Sequence, residues 1–485
     1  MKMEMKMEMK NKYLLITILI SIAYVFPIVL SNVYYTDDMS RIVDGYGWHH
    51  DGRFISTYLA RILSFNMHGI TSLFPFSIFL SATIMVIAGF IIIHALDILT
   101  SSIRSYLPAL FLLTSPFYLE NLAYRFDSIY MSLSVFFSVL PFLFLGKNKF
   151  IVVSIFSLFL VFGLYQSSIT LYIAIMLCIQ VKNVANDKNI QWKLFLHSIL
   201  AIVMSYILYK LALKGLSLEV GRSKLLPLNL DSLNVVENRI KNYRDVFYIL
   251  FIKTKYIYAV FLIILLSMLG MVVSLYKKSF FKKITIYFIC IIGIALSILL
   301  PNLILVTMWL TARTLIVFPV FLFFCAVFID VFLKKYTSRN LEYIAYGMYV
   351  IFISYSFMLS SVFGTILKNN EEYQQYLANN ITDRILNDYS SSPIGLAISG
   401  QAPIAPKSQF LYNNYPIMNM LAPNYISNSW YWGLKALSPF YNFSVIENQG
   451  ELIKSRCGLK IISKNNTYSI FKSGNNYIID FKNEC

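Results

Sequence analysis

Long apolar runs separated by short polar loops fill the first 365 residues of the chain. A run of about 20 apolar residues can cross a bilayer as an α-helix, and the pattern predicts about eleven such spans. They lie at 13–30, 73–96, 106–119, 128–146, 150–165, 167–181, 194–214, 255–276, 284–303, 314–333 and 341–363. The run 106–119 is short, and the close pair 150–165 and 167–181 could form a re-entrant hairpin. The prediction is therefore 9–11 transmembrane helices.

The charged residues between these runs predict the orientation of the chain. Cytoplasmic loops of membrane proteins carry an excess of Lys and Arg, and each loop that alternation assigns to the cytoplasmic side is basic. The residues concerned are Arg104, Lys147, Lys149, Lys182, Lys188, Lys193, Lys277, Lys278, Lys282, Lys283, Lys334, Lys335 and Arg339. Residues 1–12 carry four Lys and two Glu and are expected to form a cytoplasmic tail. An odd number of spans then places the C-terminal residues outside.

The pattern changes at about residue 366, where Asn, Ser, Tyr and Pro become frequent. It predicts a helix at 371–388, a short buried strand at 394–399, and a β-hairpin or meander at 459–481. We therefore expect a transmembrane domain at 13–365, followed by a small outer α/β domain at 366–485. In an oxidising compartment Cys457 and Cys485 could form a disulfide, which the sequence leaves open.

Ionisable side chains cluster directly after the first predicted span. Asp37 and Asp38 are followed, before residue 54, by Arg41, Trp48, His49, His50 and Arg53. Such residues at the mouth of a membrane-spanning bundle are candidates for chemistry. Adjacent carboxylates of an extended chain point to different sides. We therefore expect one aspartate to act as a general base and the other to orient it; a loop that merely solvates both is the alternative.

Three further predicted outer loops carry candidate groups. The loop 120–127 contains Tyr124, Arg125 and Asp127, and the loop 301–313 contains Trp309 and Arg313. The third, 215–254, predicts an interfacial helix capped by Asp231, with Arg239 among the polar residues that face away from its apolar side. Arginines on the outer side run against the positive-inside bias, so a ligand is one reason for their presence.

An aromatic run, Trp430–Trp432, stands out in the outer domain. Exposed aromatic rings can stack on the faces of sugar rings, and they can also pack between a domain and the membrane. The sequence leaves both uses open.

Composition excludes several classes of function. The chain is 58% hydrophobic and 13% charged, whereas soluble domains are about 25% charged. Its net charge of +17 is spread over short loops rather than gathered in a nucleic-acid groove. Asp37, Asp38, His49 and His50 could hold Mn²⁺ or Zn²⁺, but their spacing matches no zinc motif. We expect no metal cofactor and no nucleic-acid partner.

These groups suit glycosyl transfer at the outer membrane surface. No nucleotide is supplied there, so the sugar donor must be carried across on a lipid, as a polyprenyl-phosphate sugar is. Arginine grips a phosphate leaving group with two parallel hydrogen bonds, which makes Arg53, Arg125 and Arg313 candidate donor-phosphate ligands. One carboxylate then acts as base on the acceptor hydroxyl, and a base without a nucleophile in line implies inversion. The remaining candidate substrate-binding residues are Arg41, Trp48, His49, His50, Tyr124, Asp127 and Trp309.

A resemblance to known enzymes rests on this first outer loop. Tyr35-Thr36-Asp37-Asp38-Met39-Ser40-Arg41, with Gly45-Tyr46, Trp48 and Gly52-Arg53, resembles the type II glucosyltransferase family, whose members include phage-borne enzymes that glucosylate O-antigen and change serotype. More broadly the chain is similar to type-C glycosyltransferases.

The resemblance implies undecaprenyl-phosphate glucose as donor and a rhamnose-containing O-antigen of lipopolysaccharide as acceptor. It also implies a bacterial inner-membrane enzyme whose C-terminal domain is periplasmic. In type-C enzymes the first acid of such a pair usually serves as base, which favours Asp37.

Two other functions fit a chain with many spans. An O-antigen polymerase is expected to rely on arginines in mid-chain outer loops rather than on an acidic pair after the first span. A flippase or transporter of lipid-linked sugars needs ionisable groups near the middle of the membrane and usually two related halves. The acidic pair directly after the first span argues against a polymerase. The charges crowd at the outer ends of the predicted spans and no internal repeat is visible in the sequence, which argues against a transporter.

Overall fold

The computed structural model is mostly helical and ends in a small β-sheet. It describes the main chain of residues 2–98, 103–220, 226–227, 229–276, 279–303, 305–306, 310–336, 338–388, 393–439 and 441–485. The chain forms two compact units. The helical unit comprises Met1–Val29 and Tyr46–Ser361, and the sheet unit comprises Leu30–Gly45 and Val362–Cys485.

The α-helices follow one another closely through the chain. In order they are α1 (Lys2–Ser31), α2 (Asp38–Asp44), α3 (Phe54–Leu63), α4 (Phe76–Ala95), α5 (Tyr118–Ala123), α6 (Ser128–Val139), α7 (Phe150–Leu164), α8 (Ile169–Ala185), α9 (Trp192–Gly215), α10 (Leu230–Tyr248), α11 (Tyr256–Leu275), α12 (Phe280–Leu303), α13 (Val320–Lys335), α14 (Arg339–Asp388), α15 (Gln409–Asn414), α16 (Met418–Leu421), α17 (Tyr431–Ala436) and α18 (Gln449–Lys454).

Several of these helices are long and apolar enough to cross a membrane. Within the described ranges seven qualify by length and composition: Lys12–Ser31, Phe76–Ala95, Gln166–Ala185, Trp192–Gly215, Tyr256–Leu275, Phe280–Leu303 and Arg339–Asp388. Shorter apolar helices lie at Phe54–Leu63, Ser128–Phe144 and Phe150–Leu164. The seven long apolar helices indicate a membrane protein. The count of eleven spans stays a prediction.

The structure differs from the predicted helices at two places in the chain. The run 106–119 is broken into a 3₁₀-helix at Ile103–Leu110, turns, and α5. Proline lacks the N–H that a continuous helix needs, and Pro108 and Pro116 both fall in this run. The predicted span 341–363 and helix 371–388 are instead one helix, α14, because no proline or glycine pair interrupts the sequence between them.

The sheet unit has five strands in the order β2-β1-β5-β4-β3. They are β1 (Gly395–Ser399), β2 (Ser444–Val445), β3 (Lys460–Lys464), β4 (Ser469–Ser473) and β5 (Asn476–Asp480). β1 runs parallel to β2 and β5, and β3, β4 and β5 form an antiparallel meander. The predicted strand and meander are therefore confirmed.

Burial on both faces explains why β1 is apolar apart from its last residue, Ser399. All five of its residues are buried, as expected for a parallel strand covered on both sides. On one face Leu396 and Ile398 pack with Ile381 and Ile385 of α14. On the other, Ala397 packs with Ile478 of β5, among others.

Cys457 and Cys485 form a disulfide with their Cα atoms 5.3 Å apart. The bond ties the segment before β3 to the end of the chain after β5. The pairing that the sequence left open is thus present.

Candidate functional site

The acidic pair lies at the start of α2, within the sheet unit. Asp37 precedes the helix with helical backbone angles, and the N–H of Arg41 bonds the Asp37 carbonyl at 3.0 Å. The extended chain assumed for the pair is therefore wrong, because a turn at Thr36 leads directly into a helix. The two side chains still differ. Asp38 is fully buried, whereas Asp37 is partly exposed.

Asp38 and Arg41 are buried beside each other. Nη1 of Arg41 lies 4.0 Å from Oδ1 of Asp38, one helical turn away, and both side chains are at most 2% exposed. Opposite charges at i and i+3 of a helix face each other. Arg41 thus places a positive charge beside the buried carboxylate, and Asp37 is the more accessible acid of the pair.

Three contacts anchor this acidic segment inside the sheet unit. The Tyr35 hydroxyl donates to the carbonyl of Leu421 at 2.6 Å, and its ring lies 6.2 Å from that of Tyr425. Ser40 Oγ lies 3.0 Å from the hydroxyl of Tyr431, at the start of α17. The acids are therefore held next to the aromatic run Trp430–Trp432.

In the helical unit, a tight turn at 48–53 positions Arg53. The N–H groups of Asp51 and Arg53 bond the Trp48 carbonyl, and that of Gly52 bonds the His49 carbonyl. Gly52 has φ +72°, and a Cβ there would lie 2.3 Å from the Tyr209 hydroxyl. Only glycine fits both demands.

The guanidinium of Arg53 is almost enclosed. Its Nε donates to the Leu164 carbonyl at 2.7 Å and its Nη1 to Oδ1 of Asp127 at 2.8 Å. The Trp48 and Tyr165 rings lie 5.4 and 5.0 Å from Cζ. Among the described residues Nη2 is buried without a hydrogen-bond partner, so this arginine retains a donor that an anion could use.

A second arginine lies in the same unit against a buried glutamate. The backbone N–H of Arg313 donates to Oε2 of Glu120 at 2.8 Å, and the side-chain Nε of Arg313 lies 4.0 Å from Oε1 of Glu120. Its guanidinium lies 4.9 Å from the centre of the Tyr124 ring. The Tyr165 hydroxyl donates to the Arg313 carbonyl at 3.2 Å, so Tyr165 contacts both arginines.

Sequence reasoning missed Tyr165 because it lay at the end of an apolar run and was counted as part of a span. The sequence feature that could have revealed Tyr165 is its neighbour Gln166, a polar residue between two apolar runs. Its side-chain amide donates to the carbonyl of Asp51 at 3.1 Å and so supports the turn that carries Arg53.

The placement of Arg239 was predicted wrongly. It was expected on the polar face of α10, yet it is 5% exposed. Its two terminal nitrogens donate to the carbonyls of Asn302, Leu303, Leu305 and Val306 at the end of α12 and just beyond. Asn302 and Leu303 belong to the last turn of α12, where carbonyls have no partner within the helix, so Arg239 satisfies the end of this helix. The helix cap was also misplaced, since Asn229 rather than Asp231 accepts from the Ser232 N–H.

The other candidates lie in different environments. Arg125 is buried, with its guanidinium 4.1 Å from the centre of the Phe74 ring. His50 is exposed, and His49 lies edge-on to Tyr58. Burial lowers the pKa of His49, with further lowering by the charges of Arg61 and His50. Trp309 lies outside the described residues.

The candidate residues thus fall into two groups. Asp37, Asp38 and Arg41 belong to the sheet unit, and the other described candidates belong to the helical unit. In the parts of the chain that the structure describes, no three His, Cys, Asp or Glu side chains come close enough to hold a metal ion. The sheet unit thus contributes two aspartates with one buried arginine, and the helical unit contributes the enclosed guanidinium of Arg53.

Comparison with known proteins identifies the family. An "uncharacterized 55.3 kDa protein in gtrB 5'region" of Salmonella phage P22 is 25% identical over 489 aligned residues, which cover 95% of this chain and 96% of that protein. No solved structure matches. The family model described as "Glucosyl transferase GtrII" matches residues 26–330, which is more than half of the chain. The resemblance seen in the sequence is confirmed, and the chain belongs to the GtrII glucosyl transferase family.

Proposed function

We propose that this protein transfers glucose from undecaprenyl-phosphate glucose to an O-antigen polysaccharide on the periplasmic side of the bacterial inner membrane, with inversion at the anomeric carbon. The observation that carries the proposal is the family match over residues 26–330, which contains the acidic pair and every candidate arginine. A lipid-linked donor fits the apolar helices, since such a substrate reaches the enzyme through the membrane.

In this mechanism Asp37 accepts the proton of the acceptor hydroxyl. Its partial exposure supports this role, and the burial of Asp38 beside Arg41 supports an orienting role for Asp38. A positioned base contributes about 10²–10⁴-fold to a rate. The oxygen freed of its proton attacks the anomeric carbon of glucose, and the bond to the phosphate breaks.

Arg53, Arg125 and Arg313 bind the phosphate of the donor. The buried Nη2 of Arg53 supports this role most directly, because a phosphate oxygen would satisfy it. Asp127 holds Arg53 in place. The remaining candidates, which contact the sugar or the lipid in this proposal, are Trp48, His49, His50, Tyr124 and Trp309.

The proposed topology has a cytoplasmic tail at 1–12, a transmembrane domain at 13–365 and a periplasmic α/β domain at 366–485. The disulfide between Cys457 and Cys485 supports an oxidising compartment for that domain. Reporter fusions at Lys278 and Lys335 should report cytoplasm, and a fusion at Asn414 should report periplasm. A cytoplasmic report at Asn414 would contradict this topology.

Glucose incorporation into lipopolysaccharide tests the function as a whole. Cells that carry the gene and supply the lipid donor should add glucose to their O-antigen, and cells without the gene should not. A changed length of the O-antigen chains with no added glucose would indicate a polymerase. If cells without the gene lack lipid-linked sugar in the outer leaflet of the membrane and cells with the gene have it, the protein is a flippase.

A further inference from the structure

The aromatic run of the sheet unit presents two large rings to solvent. Trp430 is 38% exposed and Tyr431 is 43% exposed in the whole chain. The Trp430 ring packs against Tyr425 at 5.9 Å, and the Tyr431 ring packs edge-on against Trp432 at 4.8 Å. Each ring is therefore supported from one side while part of its surface stays open.

The segment that carries these rings is fixed to the end of β1. Ser429 Oγ donates to the Ile398 carbonyl at 3.0 Å and accepts from its N–H at 3.2 Å. Asn428 and Gly400 exchange two hydrogen bonds, at 2.7 Å through the Asn428 N–H and 3.1 Å through its side chain. Rings on so constrained a backbone lose little conformational freedom when they bind a ligand.

The start of α17 also packs tightly. A Cβ on Gly433 would lie 2.4 Å from the carbonyl of Tyr425, so glycine permits this close approach of the helix to the strand-end loop. The carboxyl end of β1, beside which the loop lies, is where open α/β sheets commonly bind ligands.

The rings lie beside the acidic segment of the same unit. The Tyr431 hydroxyl is 3.0 Å from Ser40 Oγ, two residues after Asp38 and within α2. The Nζ of Lys435 lies 5.7 Å from the centre of the Tyr431 ring. An open aromatic face bordered by hydroxyl and ammonium groups suits a ligand with both apolar C–H faces and hydroxyl groups, which a pyranose ring has.

We propose that Trp430 and Tyr431 form a saccharide-binding platform that holds the acceptor polysaccharide next to Asp37 and Asp38. The proposal deepens the proposed function and depends on it for the identity of the polysaccharide. One sugar ring stacks on the open surface of Trp430 or Tyr431, and the hydroxyl groups at its edge bond Tyr431 and its polar neighbours. The platform thereby brings a neighbouring sugar of the polymer to the acidic pair.

Binding of polysaccharide to the full-length protein in detergent tests this platform directly. The probe is delipidated, rhamnose-containing O-polysaccharide, with dextran as a comparison polymer. Trp430→Ala and Tyr431→Ala should each weaken binding about tenfold or more, which corresponds to about 1.4 kcal/mol. Trp430→Phe should restore most of the affinity. The matched control is Phe410→Ala, which removes a 71% exposed ring from α15 of the same unit and should change affinity less than about twofold.

Steady-state kinetics adds a readout that misfolding would not reproduce. The platform variants should raise the KM for polysaccharide about tenfold and leave the KM for the lipid donor unchanged, since the platform touches only the acceptor. Unchanged polysaccharide affinity in both alanine variants would overturn the proposal, as would a wild-type protein that binds no polysaccharide. Reduced binding to phospholipid vesicles with unchanged polysaccharide affinity would assign the rings to the membrane instead.

The two proposals fail separately in this experiment. A wild-type protein that binds polysaccharide through Trp430 and Tyr431 but transfers no glucose supports the platform and contradicts the proposed reaction. A wild-type protein that transfers glucose while both alanine variants bind normally contradicts the platform alone.

Discussion

Two regions each contain a buried ionic contact: the acidic segment 35–41 of the sheet unit and the arginine turn 48–53 of the helical unit. In the first, Asp38 is buried beside Arg41 while its neighbour Asp37 stays partly exposed. In the second, Arg53 is buried against Asp127 while its Nη2 has no partner among the described residues. Each region contains one buried ionic contact and, beside it, one group that the proposed reaction uses.

The difference lies in what each available group can do. A carboxylate that is not fully buried can take a proton, whereas a guanidinium nitrogen can only donate a hydrogen bond and stabilise negative charge. We therefore expect changes in the acidic segment to act on the chemical step and changes in the arginine turn to act on donor binding and departure.

The largest effect on glucose transfer is expected from Asp37→Asn. The substitution keeps the shape of the side chain and removes the base, so the rate should fall at least about 10²-fold. Thermal stability should stay the same because Asp37 is partly exposed. Asp38→Asn should lower both rate and stability, since it removes a negative charge that lies beside the buried guanidinium of Arg41. Wild-type transfer rates in both single variants and in the double variant would remove these residues from the mechanism.

The next effect is expected from Arg53→Lys. Lysine keeps the charge but cannot bond Leu164, Asp127 and a phosphate through one planar group. The loss of one charged hydrogen bond, about 1.5–3 kcal/mol, corresponds to a fall of about 10–100-fold in kcat/KM for the lipid donor. Arg244→Lys is the control, because Arg244 is an exposed arginine of α10. Equal kinetics in the two variants would contradict a ligand role for Arg53.

A smaller effect on transfer, with a larger one on stability, is expected from Arg239→Gln. Both terminal nitrogens of Arg239 donate hydrogen bonds to backbone carbonyls, four in all. In Arg53, by contrast, Nη2 has no hydrogen-bond partner among the described residues. Leaving the buried carbonyls of Asn302 and Leu303 unsatisfied should cost about 3 kcal/mol and lower the thermal midpoint in detergent. Transfer should fall less than in Arg53→Lys, because Arg239 holds the end of α12 rather than the donor in the proposed mechanism. A donor KM that rises as steeply as in Arg53→Lys, at unchanged stability, would make Arg239 a ligand.

The smallest effect on transfer is expected from breaking the disulfide with Cys457→Ser. A cross-link that closes a loop of 28 residues should stabilise the sheet unit by about 3 kcal/mol. Cys485 packs against the core cluster that contains Ala397 and Ile478, whereas the acidic segment is held by Leu421, Tyr425 and Tyr431. Thiol labelling under denaturing, non-reducing conditions should modify neither cysteine in the native protein. Full labelling of both would show that the bond is not formed in the cell.

The sequence predicted the parts of the fold that depend on local pattern. β1 and the meander of β3, β4 and β5 follow from an apolar run and from alternation around turns, and the family follows from the loop at Tyr35–Arg53. Arg239 could not be placed in this way. Its burial depends on carbonyls more than 60 residues away along the chain, which a helical periodicity does not reveal. Tyr165 was missed for the same reason, because its partners Arg53 and Arg313 come from distant segments.

The most direct test of the account is the choice of sugar donor by the purified protein. The enzyme is given radiolabelled glucose either on undecaprenyl phosphate or on UDP, with O-antigen lipopolysaccharide as acceptor. In the proposed mechanism Arg53 holds the phosphate of a lipid-linked donor. We therefore expect transfer from undecaprenyl-phosphate glucose and none from UDP-glucose. Efficient transfer from UDP-glucose in the absence of lipid donor would contradict both the donor assignment and the outward-facing mechanism.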